Sequence, residues 1–91
     1  MIKPGKYRII YKKSVVKEDI PSLPKNVKNT IKQAIAERLT SNPIEFGKPL
    51  HYSLKGYRRL RVGHYRVVYK INDDFTVTIA AIKHRKDVYD E

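Results

Sequence analysis

The chain has no cysteine, so neither disulfide bonds nor thiolate metal sites are available to it. Its apolar runs are short and interrupted by charged residues, well below the length that spans a bilayer. The amino-terminal segment MIKPGKYRIIYKK lacks the apolar core and the small-residue cleavage site of a secretory signal. We therefore expect a soluble, cytoplasmic protein without a membrane partner.

Acidic residues are scarce, and none lies between Phe46 and Asn72. The chain carries 20 Lys and Arg against 9 Asp and Glu, which gives a formal net charge of +11 at pH 7. Self-repulsion on this scale costs stability in a chain long enough for only one hydrophobic core. A polyanionic partner accounts for the excess, with nucleic acid as the first candidate and an acidic protein as the second.

The three histidines have no metal-ligand spacing and no acidic cluster beside them, so we expect neither a metal site nor a bound cofactor. No Ser/His/Asp arrangement, glycine-rich phosphate loop or pair of carboxylates is visible either. A single imidazole can act as an acid or a base near neutral pH, and His84, within the basic cluster Lys83-His84-Arg85-Lys86, is our candidate. The alternative is a structural or merely exposed histidine.

Local patterns predict the order β-α-α-β-β-β in one domain that spans residues 1–91. The segment Lys6–Tyr11 is rich in β-formers, a short helix extends to Asp19, and a second helix carries an apolar stripe that ends at Leu39. Three strands follow, at Tyr57–Val62, Tyr65–Ile71 and Phe75–Ile82. We expect an α+β domain in which two N-terminal helices pack on a mostly antiparallel, four-stranded sheet.

Three arginines are predicted to meet on one face of this sheet. Side chains alternate across a strand, so Arg59 and Arg61 share a face, and the simplest hairpin register places Arg66 beside them. The planar fork of donors in arginine suits phosphate, and the patch matches the size of one or two phosphates. The alternative is a solvated sheet face, which we disfavour because no carboxylate is interleaved.

The tyrosines of this half of the chain are able to stack on bases, although such residues are more often part of a core or a sheet edge. We expect structural roles for Tyr65 and Tyr69 and assign base stacking to Tyr89 alone.

Two segments, LKGYRRLRVGHYRVVY at Leu54–Tyr69 and HRKDVY at His84–Tyr89, resemble the RelE toxin family of the RelE/ParE toxin–antitoxin superfamily. The amino-terminal half is similar only in pattern. The resemblance implies a RelE-like fold and a ribosome-dependent mRNA endonuclease, an mRNA interferase that cleaves the message in the ribosomal A site and halts translation. The implied chemistry needs no metal, because a ribose 2′-hydroxyl attacks the adjacent phosphodiester and leaves a cyclic phosphate.

The resemblance also implies roles for individual residues. Arg59 and Arg61 fall where the family carries basic strand residues, and Arg66 matches the arginine that holds the scissile phosphate. Arg85 matches a basic residue after the last strand, and Tyr89 matches a tyrosine that orients or stacks on the substrate. Five further cations are RNA-binding candidates: Lys55, Arg58, Lys70, Lys83 and Lys86.

The identity of the general base stays open. Relatives often carry lysine at the positions of Arg59 and Arg61, and an arginine is a poor base because it is essentially always protonated. This departure increases the interest in His84.

The family further implies an acidic, RelB-like antitoxin that neutralises the toxin in a hetero-oligomer, and contact with the ribosome and its mRNA. DNA would be bound only through the antitoxin complex. Two alternatives remain: a ParE-type toxin that inhibits DNA gyrase without ribonuclease activity, and a non-enzymatic basic module that binds nucleic acid.

Overall fold

The protein is described from a computed structural model that covers residues 6–88. A five-stranded sheet has the strand order β1-β5-β4-β3-β2. The strands are β1 (Arg8–Tyr11), β2 (Lys48–Pro49), β3 (Arg58–Val62), β4 (Tyr65–Ile71) and β5 (Thr76–His84). Strand β1 runs parallel to β5, whereas the other neighbouring strands are antiparallel.

The α+β class is confirmed, but the predicted count of four strands is wrong. The additional strand, β2, has only two residues and lies in a segment with two prolines and a glycine, a local pattern typical of a loop. It forms because Lys48 pairs with Arg59 at the edge of the sheet. Pairing with a partner distant in sequence, rather than local β-propensity, creates this strand.

The predicted pair of N-terminal helices is also wrong in detail. A single wide turn, Val15–Asp19, comes first, and it is closed by a hydrogen bond from the Ile20 amide to the Val15 carbonyl at 2.9 Å. Helix α1 (Lys25–Ala34) follows and continues through a second wide turn, Ile35–Leu39. A short helix, α2 (Pro43–Phe46), then begins at Asn42, whose side chain accepts a hydrogen bond from the Glu45 amide.

The core lies between α1 and one face of the sheet. The buried residues of the helical segment repeat at helical spacing, and the core residues of β4, and of β5 before its bulge, occupy alternate positions, so each element presents one apolar face to the core. The main participants are Ile31, Ala34, Ile35 and Leu39 from the helical side, and Leu60, Val67, Tyr69, Val77 and Ile79 from the sheet. Burying each large aliphatic side chain stabilises the fold by about 1.5–3 kcal/mol. No helix in residues 6–88 is long and apolar enough to span a bilayer.

Helix α2 and the glycine that follows it, Gly47, are attached to the sheet by two polar side chains. Arg58 donates from Nη2 to the carbonyl oxygens of Ile44 at 2.7 Å and Gly47 at 2.9 Å. The buried hydroxyl of Tyr69 donates to the Pro43 carbonyl at 2.5 Å, and burial raises the pKa of this phenol. These contacts fix α2 and Gly47 against the sheet, at the start of the chain that leads to β3.

Candidate nucleic-acid interface

Three cations form a row across the sheet on the face opposite the core. Arg61 on β3 pairs with Arg66 on β4, and Arg66 pairs in turn with Lys83 on β5. Adjacent strands lie about 4.8 Å apart, so paired residues point to the same face and lie close together. Like charges directly opposite one another are destabilising, which makes an anion bound over this row favourable. We call these three residues the cationic row.

Arg59 adds a fourth cation beside the row, further along β3. It lies two residues before Arg61 and pairs with Val68, so it shares the face of the cationic row. The predicted hairpin register, with Arg59, Arg61 and Arg66 on one face, is therefore observed.

The arginines differ sharply in exposure. Arg61 is exposed and Arg59 is half-buried, whereas Arg66 is only 5 % exposed. The Arg66 Nη1 donates to the carbonyl oxygens of Gly63 at 3.2 Å and Tyr65 at 3.1 Å. Arg66 is thus anchored to the β3–β4 turn, and its positive charge is held in place beneath the face that Arg61 presents to solvent.

A groove of about 460 Å³ lies next to the cationic row. Its floor contains Val68, Ala80 and Ala81, and Lys83 belongs both to the groove and to the row. The β4–β5 register shifts between Val68 and Tyr69, which leaves Ala80 as an extra residue in β5. Such a bulge re-aims side chains beside a site, and the small alanines leave room above the sheet.

The walls of the groove come from segments outside the central strands. Ser53, Leu54 and Tyr57 line one part, Asp87 and Val88 line another, and Lys12 also contributes. Sequence reasoning missed Lys12, Tyr57 and Asp87. Lys12 reaches the groove because β1 pairs in parallel with β5, and its amide donates to the Ile79 carbonyl at 3.0 Å. Asp87 lies within the segment HRKDVY, so its position beside the basic cluster was a usable signal.

Lys83 is held by a buried carboxylate. Its Nζ lies 2.9 Å from Oδ1 of Asp19, whose side chain is 6 % exposed, while the Lys83 side chain is 48 % exposed. The other oxygen of Asp19 accepts a hydrogen bond from the Ile82 amide at 2.9 Å. The ion pair restrains Lys83 at the edge of the groove.

The remaining predicted cations do not join the cationic row. Arg58 carries the loop contacts described above. Lys70 is exposed on the same face, but it lies four residues from Arg66 along β4, which corresponds to about 13 Å. Lys55 is exposed in the turn before β3, and Arg85 and Lys86 are exposed in the turn Arg85–Asp87. Tyr89 lies outside the described residues.

His84 is placed on the core side of the sheet, away from the cationic row. It pairs with Tyr65, which packs against the core, and the two rings meet edge to face with centroids 5.4 Å apart. The His64 ring stacks on His84 at 6.1 Å. The Nδ1 of His84 accepts a hydrogen bond from the Lys86 amide at 3.3 Å, so the proton of the neutral ring is on Nε2.

Among residues 6–88, no group of three or more His, Cys, Asp or Glu side chains is arranged to hold a metal ion. The charge available to a bound anion in this part of the chain comes from the arginine and lysine side chains. A groove with an apolar floor, flanked by such cations, is suited to a nucleotide, whose base is apolar on its faces and whose phosphate is anionic.

Comparisons with known proteins show similarity to toxins. A family model described as the ParE toxin of the parDE type II toxin–antitoxin system matches residues 13–89. The toxin RelE3 of Methanocaldococcus jannaschii is 34 % identical over 86 residues, which cover 91 % of this chain and 96 % of RelE3. The toxin RelG of Mycobacterium tuberculosis is 32 % identical over 77 residues, which cover 84 % of this chain and 88 % of RelG.

A solved structure shows the same fold. The toxin–antitoxin complex RelBE2 of Mycobacterium tuberculosis contains a chain that matches with a TM-score of 0.81 and 30 % identity, over 88 % of this chain and 99 % of that one. The fold and the comparisons together define a toxin of a type II toxin–antitoxin system. The chain belongs to the RelE/ParE toxin family.

Proposed function

We propose that this toxin is a metal-independent endoribonuclease that cleaves mRNA in the ribosomal A site and so inhibits translation. The observation that carries the proposal is the cationic row of Arg61, Arg66 and Lys83 beside a groove of nucleotide size. Such a cluster suits RNA cleavage, because negative charge grows on the phosphate in the transition state.

The proposed reaction is an internal transesterification. The ribose 2′-oxygen loses its proton and forms a bond to the adjacent phosphorus, and the bond from phosphorus to the 5′-oxygen breaks. The products are a 2′,3′-cyclic phosphate and a 5′-hydroxyl, which takes up a proton. Arg61 and Arg66 stabilise the charge on the phosphorane oxygens, with Lys83 and Arg59 adding to the positive potential. The resemblance to the RelE family adds substrate-contacting roles for Arg85 and Tyr89.

Proton transfer needs groups other than the arginines. Asp87 is the one carboxylate that lines the groove in the described part of the chain, and an ionised carboxylate is able to accept the 2′-proton. His84 is the imidazole predicted from the sequence, but its Nδ1 is engaged by the Lys86 amide. The structure therefore favours Asp87 as the base and a positioning role for His84.

The partners follow from charge and from the relatives. A net charge of +11 suits an acidic, RelB-like antitoxin, and the RelBE2 structure holds a toxin with its antitoxin. We propose a toxin–antitoxin hetero-oligomer in the cytoplasm that meets DNA only through the antitoxin, and a free toxin that meets the ribosome and mRNA.

The test is controlled expression in cells, followed by primer extension across a translated message. The wild-type toxin should produce new 5′ ends within codons. Arg61→Ala should lower the cleavage rate on programmed ribosomes by about 100- to 1,000-fold, because it removes one transition-state donor. Arg61 is better suited to this test than Arg66, since it is exposed, whereas truncation of the buried Arg66 would also disturb the turn that it anchors.

The matched control is Arg38→Ala. Arg38 is also exposed but lies in the turn Ile35–Leu39 that extends α1, on the opposite side of the sheet from the groove. This variant should cleave like the wild type. Equal cleavage by Arg61→Ala and Arg38→Ala would contradict the proposed role of the cationic row.

A second candidate function is inhibition of DNA gyrase, because the matching family model is that of the ParE toxin. Growth arrest, message cleavage and gyrase supercoiling, measured for the same toxin, distinguish the two functions. Growth arrest without message cleavage, together with loss of supercoiling by purified gyrase, would establish the ParE-type activity. Growth arrest with intact supercoiling and new 5′ ends would establish the ribonuclease.

A further inference from the structure

Tyr52 combines two unusual properties. Its side chain is 84 % exposed, the highest exposure among the large apolar and aromatic side chains that the structure shows as exposed. Its backbone also has a φ of +57°, in the left-handed region that bulky residues rarely adopt. Holding a tyrosine there costs of order 1 kcal/mol or more, so the surrounding structure must impose this conformation.

Phe75 has a similar φ of +60°, and in both residues the carbonyl accepts a hydrogen bond, from the Arg8 amide at 3.0 Å in Phe75 and from the Lys55 amide at 3.1 Å in Tyr52. The two residues differ in exposure: Phe75 is 49 % exposed, and its ring packs against Tyr7 with centroids 5.5 Å apart. The ring of Tyr52 meets the edge of the His51 ring at 6.3 Å and otherwise faces solvent. Strain that brings a large aromatic ring out into water calls for a role in binding.

The position of Tyr52 identifies the surface that it serves. It begins the short turn Tyr52–Leu54, and the next two residues, Ser53 and Leu54, line the groove. Lys48 and Lys55 are exposed on either side in the sequence, and no carboxylate occurs from Phe46 to Asn72. Tyr52 is thus an exposed ring at the rim of a groove, within a stretch of chain that carries only positive charge.

We propose that Tyr52 is a stacking platform for a base of single-stranded RNA, next to the nucleotide that occupies the groove. Cations that follow the backbone, together with aromatic rings that accept bases of any sequence, are the standard means of holding single strands. This inference rests on the proposed function, since it requires RNA in the groove. It adds a residue on the Ser53–Leu54 wall to the base-stacking role that sequence analysis assigned to Tyr89 alone.

The left-handed backbone allows an unusually clean test. Tyr52→Gly removes the ring and also suits a φ of +57°, so this variant should fold as well as the wild type. Tyr52→Phe keeps the ring. The chain has no tryptophan, so Tyr52→Trp places a unique fluorophore at the platform. The probe is a short single-stranded RNA with one 2′-deoxy nucleotide at each cleavable position, titrated at low salt.

We expect Tyr52→Gly to bind this RNA about 5- to 150-fold more weakly than the wild type, the range for removal of one stacked base. Tyr52→Phe should bind within about twofold of the wild type, and the fluorescence of Tyr52→Trp should be quenched at saturating RNA. Wild-type affinity in Tyr52→Gly, or unchanged fluorescence in an RNA-saturated Tyr52→Trp, would overturn the platform.

Failure of the proposed function gives a different result. In that case the wild-type protein would produce no new 5′ ends in the primer-extension test, and both the function and the platform would be overturned. If new 5′ ends do form but the wild-type protein and Arg61→Ala bind the RNA equally poorly, only the platform is overturned. Tyr52→Gly with unchanged RNA affinity but weaker co-purification of a co-expressed antitoxin would also overturn the platform. That result would assign Tyr52 to the protein partner.

Discussion

Asp19 and Lys83 form an ion pair between positions 64 residues apart, with Nζ and Oδ1 separated by 2.9 Å. The second carboxylate oxygen of Asp19 accepts a hydrogen bond from the Ile82 amide. Strand β1 pairs with β5 only as far as Ile79, so within residues 6–88 no strand lies beside the edge of β5 beyond that residue. The buried carboxylate takes the place of the missing strand and keeps Lys83 at the groove.

This relationship predicts a loss of stability on mutation. Asp19→Ala should lower the free energy of unfolding by about 1–3 kcal/mol, because the Ile82 amide is left without its partner at a buried site. Asp19→Asn keeps an acceptor for that amide and should be destabilised less. Urea denaturation measures both, with the exposed turn residue Asp73→Ala as the control. Equal stability of Asp19→Ala and Asp73→Ala would show that the carboxylate contributes nothing to the fold.

The electrostatic role of the cationic row predicts the salt dependence of RNA binding. For single strands, the slope of log K against log salt is about −0.7 for each phosphate that the protein neutralises. Arg61→Ala should therefore show a shallower slope as well as weaker binding, whereas Arg38→Ala should keep the slope of the wild type. Fluorescence anisotropy between about 50 and 200 mM salt measures the slope. Parallel lines for wild type and Arg61→Ala would count against an interaction between Arg61 and a phosphate.

The positions of Asp87 and His84 predict opposite kinetic results. Asp87→Asn should lower cleavage by about 100- to 10,000-fold, the usual contribution of a general base. Binding should become slightly tighter, because a negative charge is removed from a groove that holds phosphate. His84→Gln should lower the cleavage rate by less than about tenfold. The rate should keep the pH dependence of the wild type, since the ring of His84 packs on Tyr65 and His64.

Single-turnover cleavage on programmed ribosomes measures these rates, with binding measured separately. Asp73→Asn, an exposed carboxylate in the β4–β5 turn, is the charge-matched control. A collapse of cleavage in a well-folded His84→Gln, together with disappearance of a limb of the pH–rate profile near neutrality, would instead assign proton transfer to His84.

The raised pKa of the buried Tyr69 phenol predicts how the free energy of unfolding changes at high pH. Burial raises the pKa of its phenol above the ordinary value of 10.0, so the native state holds this proton more tightly than the unfolded chain. The resulting stability is complete below pH 10 and is lost as the pH rises through the native pKa. In Tyr69→Phe the free energy of unfolding should therefore decrease less steeply above pH 10 than in the wild type. Some decrease should remain, because burial also raises the pKa of Tyr11.

At neutral pH the same variant should be less stable by about 0.5–1.5 kcal/mol, because it cannot form the hydrogen bond to the Pro43 carbonyl. Denaturation at a series of pH values from about 7 to 11 measures both effects. The exposed Tyr52→Phe serves as the control and should match the wild type at every pH. A Tyr69→Phe curve parallel to that of the wild type above pH 10 would contradict the assignment.

Local sequence patterns gave the most accurate predictions for elements whose contacts are also local. Strand β4 was predicted at its observed bounds, Tyr65–Ile71, because its turns and its alternation lie within a few residues. The same alternation placed Arg59, Arg61 and Arg66 on one face, since hairpin register follows from a short turn. The helix that ends at Asp19 was predicted, but not its wide-turn geometry over Val15–Asp19. The short strand β2 was not predicted, because pairing of Lys48 with Arg59, rather than local propensity, creates it.

The charge, the α+β class, the meander of β3, β4 and β5, and the family can all be predicted from composition and from neighbouring residues. Two other relationships are visible only in the folded chain: β1 lies parallel to β5, which brings Lys12 to the groove, and Asp19 holds Lys83 beside Arg66. It also separated His84 from the arginines. These relationships depend on strand order and long-range packing, which join residues that no local pattern connects.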